Sequence, residues 1–251
     1  MIIFDFRRKN RYRTRAAVES GRIHLCDLDG GAVFAAVCDG MGGANGGNIA
    51  SNLAVKTLSD RITGNWRKKM EPKSIYNALM SAVSAANLTV FDKAAGEEQL
   101  SGMGTTVVAA VIFGNTAYVI HAGDSRAYKF SKSGLTQITR DHSIVQSMVE
   151  SGRISQEEAR VHPRKNFITK ALGVDEYLDA EYNEIDLEDG EGLLLCSDGL
   201  TNYVADDAML EILKGTKLSD CPEALIEAAN KNGGGDNITA VICFKEKGEN
   251  K

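Results

Sequence analysis

Residues 32–43 decide the fold and read Ala-Val-Phe-Ala-Ala-Val-Cys-Asp-Gly-Met-Gly-Gly. The first seven are apolar and partly β-branched, and Gly30 and Gly31 precede them. We therefore predict a buried strand that follows a hairpin turn. Asp39 and Gly40 end this strand, which places the aspartate at the rim of the core.

The same design, an aspartate beside a glycine at the end of an apolar run, occurs four times in the chain. The pairs are Asp39-Gly40, Gly123-Asp124, Asp198-Gly199 and Gly235-Asp236. A single pair of this kind is usually a turn, because aspartate bonds its own backbone and glycine accepts a positive φ. Four pairs at strand ends indicate a shared site, and a scatter over unrelated turns is the open alternative.

Carboxylates that converged at such a site would repel one another and raise one another's pKa unless a cation neutralised them. Hard oxygen ligands select magnesium or manganese over zinc. If the strand ends coincide in space, the sequence predicts a two-metal site where Asp39 and Asp198 meet.

Apolar periodicity predicts the remaining elements. Spacings of three and four residues indicate helices at about 48–62 and 73–95, the second starting at Pro72. Apolar runs joined by Gly-Asn and Gly-Asp pairs predict an antiparallel meander of strands at 104–113, 116–121 and 126–130. Further strands are expected at 192–197 and 238–244, and further helices near 206–214 and 222–230. Together these elements predict an α+β fold of antiparallel sheets covered by helices.

Length and composition predict a single domain over residues 1–251, because 43% apolar content is enough for one continuous core. Residues 141–170 are polar and mostly helical in pattern, with a break at His162 and Pro163. We predict that this segment forms a flap over the site.

Charge and cysteine content exclude several classes of protein. The net charge of −5 argues against a nucleic-acid partner, because phosphate backbones attract basic surfaces. No apolar run is long enough to span a membrane or to act as a secretion signal. The five cysteines are odd in number, and Cys38, Cys196 and Cys243 lie in apolar runs. Reduced thiols in the cytoplasm are therefore expected rather than disulfides.

Five segments of the chain resemble the motifs of a known family. They are Asp-Gly-Met-Gly-Gly at 39–43, Gly-Met-Gly-Thr-Thr at 102–106, Gly-Asp-Ser-Arg at 123–126, Ser-Asp-Gly-Leu at 197–200 and Gly-Gly-Asp-Asn at 234–237. Their order and spacing are similar to those of the metal-dependent protein phosphatases, the type 2C phosphatases, in their bacterial form. The resemblance implies a four-layer α-β-β-α sandwich, in which two antiparallel sheets pack face to face with helices outside. It also implies two manganese or magnesium ions at one end.

The resemblance implies a role for each member of the predicted metal site. Asp39 would bridge both ions, and the carbonyl of Gly40 would bind one of them. Asp198 and Asp236 would complete the other ion's ligands, and Asn237 would hold the last loop in place.

A third ion is implied by the bacterial members of the family. Asp124 and Asp198 would bind it. Asn202 stands where the family carries a further aspartate, so this third site is expected to be weaker than the other two.

The family's first motif is an arginine followed four residues later by a glutamate and usually an aspartate. Arg15, Glu19 and Ser20 match it best, with serine in place of the aspartate. Arg15 would bind the substrate phosphate by a bidentate contact, and Glu19 would serve the metal site directly or through its waters. Arg13 competes for the arginine's role, and an ordinary basic strand is the open alternative.

The resemblance implies a metal-dependent phosphoprotein phosphatase that hydrolyses phosphoserine and phosphothreonine. A water bridging the two ions would attack phosphorus in line, while Arg15 and the cations stabilise the phosphoryl oxygens. Its substrates would be the targets of a cytoplasmic serine/threonine kinase. The general acid is unassigned, because Met41 stands where animal members carry a histidine. A metal-bound water, His121 and His142 are the alternatives.

Three other functions are weighed against this one. Ser20 and Asn202 fit a catalytically weak or inactive relative that binds phosphoproteins without hydrolysing them. Asp27-Leu-Asp29-Gly30 resembles the nucleophile loop of haloacid dehalogenase phosphatases, but Gly31 replaces their threonine or valine and a hairpin turn explains the segment better. The glycines of 40–47 precede a helix, yet the three-glycine pattern and the lysine of nucleotide-binding loops are missing.

Overall fold

The computed structural model of the protein describes residues 2–6, 12–18 and 22–246. In chain order, the strands are β1 (Ile2–Phe6), β2 (Tyr12–Val18), β3 (Arg22–Leu28), β4 (Ala32–Cys38), β5 (Gly40–Met41), β6 (Gly104–Thr105), β7 (Val107–Phe113), β8 (Thr116–Ala122), β9 (Arg126–Phe130), β10 (Leu135–Gln137), β11 (Glu181–Asp186), β12 (Gly192–Cys196) and β13 (Thr239–Lys245). The α-helices are α1 (Gly43–Asn65), α2 (Pro72–Gly96), α3 (Ile144–Glu150), α4 (Gln156–Val161), α5 (Asp198–Thr201), α6 (Asp206–Gly215) and α7 (Cys221–Lys231).

The strands form two large sheets and one small one. The six-stranded sheet has the order β1-β2-β13-β12-β9-β10, and the five-stranded sheet has the order β11-β8-β7-β4-β3. Strands β5 and β6 pair with each other. All of these neighbours run antiparallel.

Alternation of side chains along β4 explains how the two sheets become the middle layers. Val33 and Val37 pack in a central core with Leu193 of β12, which belongs to the other sheet. Phe34 points to the opposite face and packs in a second core with Leu58 of α1 and with residues of α2. Because successive side chains of a strand face opposite sides, a strand that is apolar throughout is buried on both faces.

The six-stranded sheet is covered in the same way on its outer face. Leu194 of β12 packs there with Met209 of α6 and Leu225 of α7. Helices α1 and α2 therefore cover one sheet, and helices α6 and α7 cover the other. The predicted α+β sandwich of four layers is confirmed.

The predicted meander is wrong at its third strand. Strands β7 and β8 form a hairpin in the five-stranded sheet, but β9 pairs with β12 and β10 in the other sheet. The physical reason is the connection at 123–125, where Gly123 has a φ of +112° and packs against Thr106. The Ser125 hydroxyl bonds the Thr106 hydroxyl at 2.7 Å. These contacts direct the chain across to the second sheet.

The strands β2 and β3 near the start of the chain were predicted only in part. Asp27 lies in β3, which forms an antiparallel hairpin with β4 through a short 3-10 helix at Asp29–Gly31. This geometry agrees with the predicted hairpin turn. The nucleophile of a haloacid dehalogenase would instead require a parallel strand, so that alternative loses its structural support.

The segment 141–170 contains the short helices α3 and α4. Its two ends are joined, because the Thr169 amide donates to the His142 carbonyl at 2.7 Å and the Ile144 amide donates to the Phe167 carbonyl at 2.9 Å. The closed loop that results is called the flap below, and its function as a cover stays a prediction. Across the described ranges, no helix has the length and apolar character needed to cross a membrane.

Candidate metal centre

The four aspartates singled out by sequence come from different strands and meet at one end of the sandwich. Asp39 follows β4 of the five-stranded sheet, and Asp198 follows β12 of the six-stranded sheet. Asp124 lies in the crossing between β8 and β9, and Asp236 lies just before β13. The site is therefore built where the ends of the two sheets adjoin.

The electrostatics of the site indicate that the carboxylates act on one another. Burial, followed by the charges of Asp198, Asp236 and Asp124, raises the pKa of Asp39 to about 8. Burial and the charge of Asp198 also raise the pKa of Asp124 to about 8. Burial and the charge of Asp236 raise the pKa of Asp198 to about 6. Carboxyl groups with such pKa values repel one another, and a bound cation would relieve that repulsion.

Thr105 at the end of β6 and Thr106 directly after it hold the backbone of Asp39. The Thr106 amide and the Thr105 hydroxyl both donate to the Asp39 carbonyl, at 2.8 Å and 2.9 Å. The Asp39 amide donates to the Thr106 hydroxyl at 3.1 Å. Because Ser125 bonds that same hydroxyl, the loops of Asp39 and Asp124 are linked through one side chain.

The glycines after Asp39 allow a very close approach of two backbone segments. A Cβ atom on Gly40 would lie 1.9 Å from the carbonyl oxygen of Gly47, and a Cβ atom on Gly47 would lie 2.6 Å from that of Gly40. Neither position tolerates a side chain. Packing beside the metal site thus accounts for this glycine-rich stretch without a bound nucleotide.

Ser197 joins the loops of the other two aspartates. Its hydroxyl donates to the Asn237 carbonyl at 2.9 Å and accepts from the Thr239 amide at 3.1 Å. Ser197 therefore fixes the chain between Asp198 and the loop of Asp236. Asn237 contributes to this contact through its backbone carbonyl rather than through its side chain.

Asn202 contacts the site where the resemblance implies a further aspartate. Its amide nitrogen donates to Asp198 Oδ2 at 3.0 Å. The amide thus competes for one lone pair of Asp198, where an aspartate would have added a further carboxylate.

Arg126 is a buried cation behind the aspartates that sequence reasoning did not single out. It forms a bidentate pair with Asp141, with nitrogen–oxygen distances of 2.8 Å and 2.7 Å, and donates to the Tyr128 hydroxyl at 2.9 Å. Its charge lowers the pKa of both Asp124 and Asp198, although burial outweighs this effect. The sequence signal was its place in the Gly-Asp-Ser-Arg segment, after the aspartate.

The N-terminal motif is only partly described. Arg15 lies half-buried in β2, opposite Asp5 of β1 and Ile242 of β13. Arg13 is exposed, near the start of β2, and forms an ion pair with Glu246, which directly follows β13. Glu19 and Ser20 lie outside the described residues.

A second group of potential metal ligands consists of His121, His142 and Glu181, whose ligand atoms all lie within 4.8 Å of one another. The two imidazole rings stack at 4.8 Å with their planes 4° apart. A metal ion lies in the plane of each ring that binds it, and two stacked rings share no such plane. His142 Nδ1 also accepts from the Gly123 amide at 3.1 Å, which leaves the ring proton on Nε2. The stacked arrangement of the two rings therefore does not fit a metal ion that both rings would bind.

The aspartate group, in contrast, fits hard divalent cations. Its donors are carboxylate oxygens that converge with mutually raised pKa values, and such donors suit magnesium and manganese. A cavity of about 470 Å³ adjoins the group, and its walls include Asp124, Asp198 and, from the flap, Arg160 and Lys165. The site is thus open to a molecule from solution.

With this geometry in place, the comparisons with known proteins become informative. Residues 17–233 match the family described as protein phosphatase 2C. The serine/threonine phosphatase stp of Listeria monocytogenes is 38% identical over 240 residues, which span 91% of this chain and 94% of that protein. PstP of Mycobacterium tuberculosis is 37% identical over 217 residues, which span 85% of this chain and 40% of PstP.

Solved structures of relatives agree with the fold. The S. agalactiae serine/threonine phosphatase superposes with a TM-score of 0.87 at 30% identity, covering 94% of this chain and 100% of the other. The catalytic domain of PstP in complex with two manganese ions superposes with a TM-score of 0.79 at 30% identity, covering 94% and 99%.

The chain belongs to the protein phosphatase 2C family. The prediction of a metal-dependent serine/threonine phosphatase is confirmed. The prediction of manganese or magnesium agrees with the two manganese ions of the PstP structure. The roles of the individual residues stay predictions.

Proposed function

We propose that this chain removes phosphate from serine and threonine residues of cytoplasmic proteins that a serine/threonine kinase has phosphorylated. The observation that supports the proposal most is the convergence of Asp39, Asp124, Asp198 and Asp236 from separate strands. A fold that gathers like charges in this way loses stability unless a cation binds. The relatives named as serine/threonine phosphatases support the choice of substrate.

In this proposal each residue has a defined task. Asp39 would hold both divalent ions, the Gly40 carbonyl would bind one of them, and Asp198 and Asp236 would bind the other. The ions, when bound, supply an activated water and neutralise charge on the phosphate. The hydrogen bonds that Asp39 forms with Thr105 and Thr106 fix its backbone beside the proposed ions.

The proposal assigns the substrate phosphate to Arg15, whose guanidinium can make two parallel hydrogen bonds to phosphoryl oxygens. Glu19 would assist the metal site. A third ion, on Asp124 and Asp198, would bind more weakly than the other two. The hydrogen bond from Asn202 to Asp198 supports that order, because a metal would have to displace it.

The same hydrogen bond favours one alternative, in which the chain binds phosphoproteins but hydrolyses them slowly or not at all. The two functions differ in turnover. A protein that only binds would release no phosphate at any manganese concentration, although it would retain affinity for a phosphothreonine peptide.

The test is phosphate release from a phosphothreonine peptide by the purified protein with manganese, with chelator, and in Asp39→Asn and Asp236→Asn variants. We expect manganese-dependent release that the chelator and both variants reduce by at least about a hundredfold, in line with the loss of a charge-stabilising group. Asp92→Asn, on the exposed side of α2, is the matched control and should retain full activity. Unchanged activity in the Asp39 or Asp236 variants would contradict the assignment.

A further inference from the structure

A short strand-like segment after the flap lies beside β6, the partner of the strand that follows Asp39. The Thr105 amide donates to the Leu172 carbonyl at 3.1 Å, and the Leu172 amide donates to the Thr105 carbonyl at 2.8 Å. Thr105 also pairs with Gly40 on its other side. Strand β6 therefore lies between β5 and the segment around Leu172, and all three are held together by backbone hydrogen bonds.

Two apolar side chains meet over a glycine in this small three-stranded arrangement. A Cβ atom on Gly104 would lie 2.8 Å from Met41 Cε and 3.0 Å from Val174 Cγ2. Since both methyl groups lie so close to one point, they are within about 6 Å of each other. We call Met41 and Val174, together with the bare backbone of Gly104 between them, the apolar shelf.

The apolar shelf is accessible to solvent. Val174 is 47% exposed, and Met41 is half-buried. Gly104 is itself buried under the two side chains, so a larger residue there would displace them. A solvent-accessible apolar pair is a suitable contact for another apolar group, because burying its surface is favourable.

The position of the shelf connects it to the aspartates. Met41 follows Asp39 by two residues, a span of at most about 7 Å in extended chain. Met41 also pairs with Gly104, whose neighbour Thr105 donates its hydroxyl hydrogen bond to the Asp39 carbonyl, so the shelf lies close to the backbone of Asp39. The shelf therefore adjoins the place where the phosphorylated residue of a substrate would lie.

We propose that the apolar shelf binds an apolar side chain of the substrate, one or two positions from the phosphorylated residue. This inference rests on the proposed function. Consecutive residues of an extended peptide are about 3.3 to 3.6 Å apart, so one or two residues span the distance from the aspartates to the shelf. The flexible thioether of Met41 adapts to side chains of different shape, while Val174 gives the contact a fixed wall.

The test uses two phosphothreonine peptides that differ only beside the phosphothreonine, with leucine there in one and serine in the other. The third substrate is p-nitrophenyl phosphate, which has no neighbouring residues. Each substrate is assayed with manganese on the wild type and on Val174→Ser. Val161→Ser is the matched control, because Val161 is 82% exposed on the flap helix α4 and lies outside the shelf. Thermal unfolding verifies that the variants are folded.

We expect the wild type to prefer the leucine peptide in kcat/KM by about three- to tenfold, the effect of burying one apolar side chain in part. Val174→Ser should lose this preference through a higher KM, because the contact is present equally in bound substrate and transition state. Hydrolysis of p-nitrophenyl phosphate should stay within twofold of the wild type in both variants. Val161→Ser should retain the peptide preference.

Equal hydrolysis of the two peptides by the active wild type would overturn the inference alone, as would a preference that survives in Val174→Ser. If Val174→Ser changes the oligomeric state in solution but not the peptide preference, the shelf is a contact between copies of the chain. That result would also overturn the inference. No manganese-dependent hydrolysis of p-nitrophenyl phosphate by the wild type would overturn the proposed function and the inference with it.

Discussion

Replacing Asp39 by asparagine should make the metal-free protein more stable while it removes activity. The charges of Asp198, Asp236 and Asp124 all act on Asp39 and raise its pKa. Two like charges about 4 Å apart repel by about 4 kcal/mol at an effective dielectric constant of 20. Asparagine keeps the size of the side chain and removes its charge. We therefore expect the free energy of unfolding, measured with chelator at pH 8, to rise by about 2 to 3 kcal/mol.

The pH dependence of this effect has a defined sign. The pKa of Asp39 is raised from 3.8 to about 8, so the folded protein binds a proton more tightly than the unfolded chain does. The stability that this proton contributes is complete below about pH 4 and is lost as the pH rises towards 8. Wild type with chelator should therefore lose stability between pH 5 and pH 8, and Asp39→Asn should lose less.

The assay is thermal unfolding followed by circular dichroism, with chelator, at pH 5 and pH 8. A gain of 2 to 3 kcal/mol corresponds to a rise in Tm of about 5 to 10 °C for a chain of this size. Asp92→Asn, outside the aspartate group, should leave Tm unchanged. If Asp39→Asn melts at or below the wild-type temperature at pH 8 with chelator, the carboxylates do not repel one another and the metal centre as argued is wrong.

Three further changes probe the contacts around the site. Thr106→Val removes the hydroxyl that bonds the Asp39 amide and Ser125, and should weaken manganese binding about tenfold in isothermal titration calorimetry; an unchanged Kd would mean that the threonine does not position Asp39. Arg126→Met leaves Asp141 without its bidentate partner. It should lower the free energy of unfolding, measured in urea, by about 3 to 5 kcal/mol. The double variant Arg126→Met, Asp141→Leu should largely recover this loss, because it leaves no unpaired charge. Gly40→Ala places a Cβ 1.9 Å from the Gly47 carbonyl oxygen and should abolish manganese binding. In the control Gly64→Ala, in α1, the Cβ would have no neighbour within 4 Å, and the free energy of unfolding should rise by about 0.5 to 1 kcal/mol. Equal effects of the two alanines on manganese binding and on stability would refute the close approach.

Local features of the chain were predictable because local physics determines them. The apolar run 32–38 favours a buried strand whichever sheet it joins, and a glycine beside Asp39 ends that strand. Both the strand and the aspartate at its end could therefore be placed from the sequence. Contacts between distant segments could not be placed in this way. The sheet that β9 joins depends on its pairing with β12, more than sixty residues later. The partner of Arg126 is fifteen residues away, and the threonines that hold Asp39 are more than sixty away.

The place of β13 in its sheet has a consequence for the order in which the protein acquires its properties. This strand lies between β2, from the beginning of the chain, and β12. During synthesis the gap beside β2 stays open until β13 has left the ribosome, and the last aspartate of the site arrives with it. Asp39, Asp124 and Asp198 are therefore synthesised before Asp236. A chain that ends before β13 lacks both an inner strand of this sheet and the fourth aspartate, so we expect it to hydrolyse no phosphate.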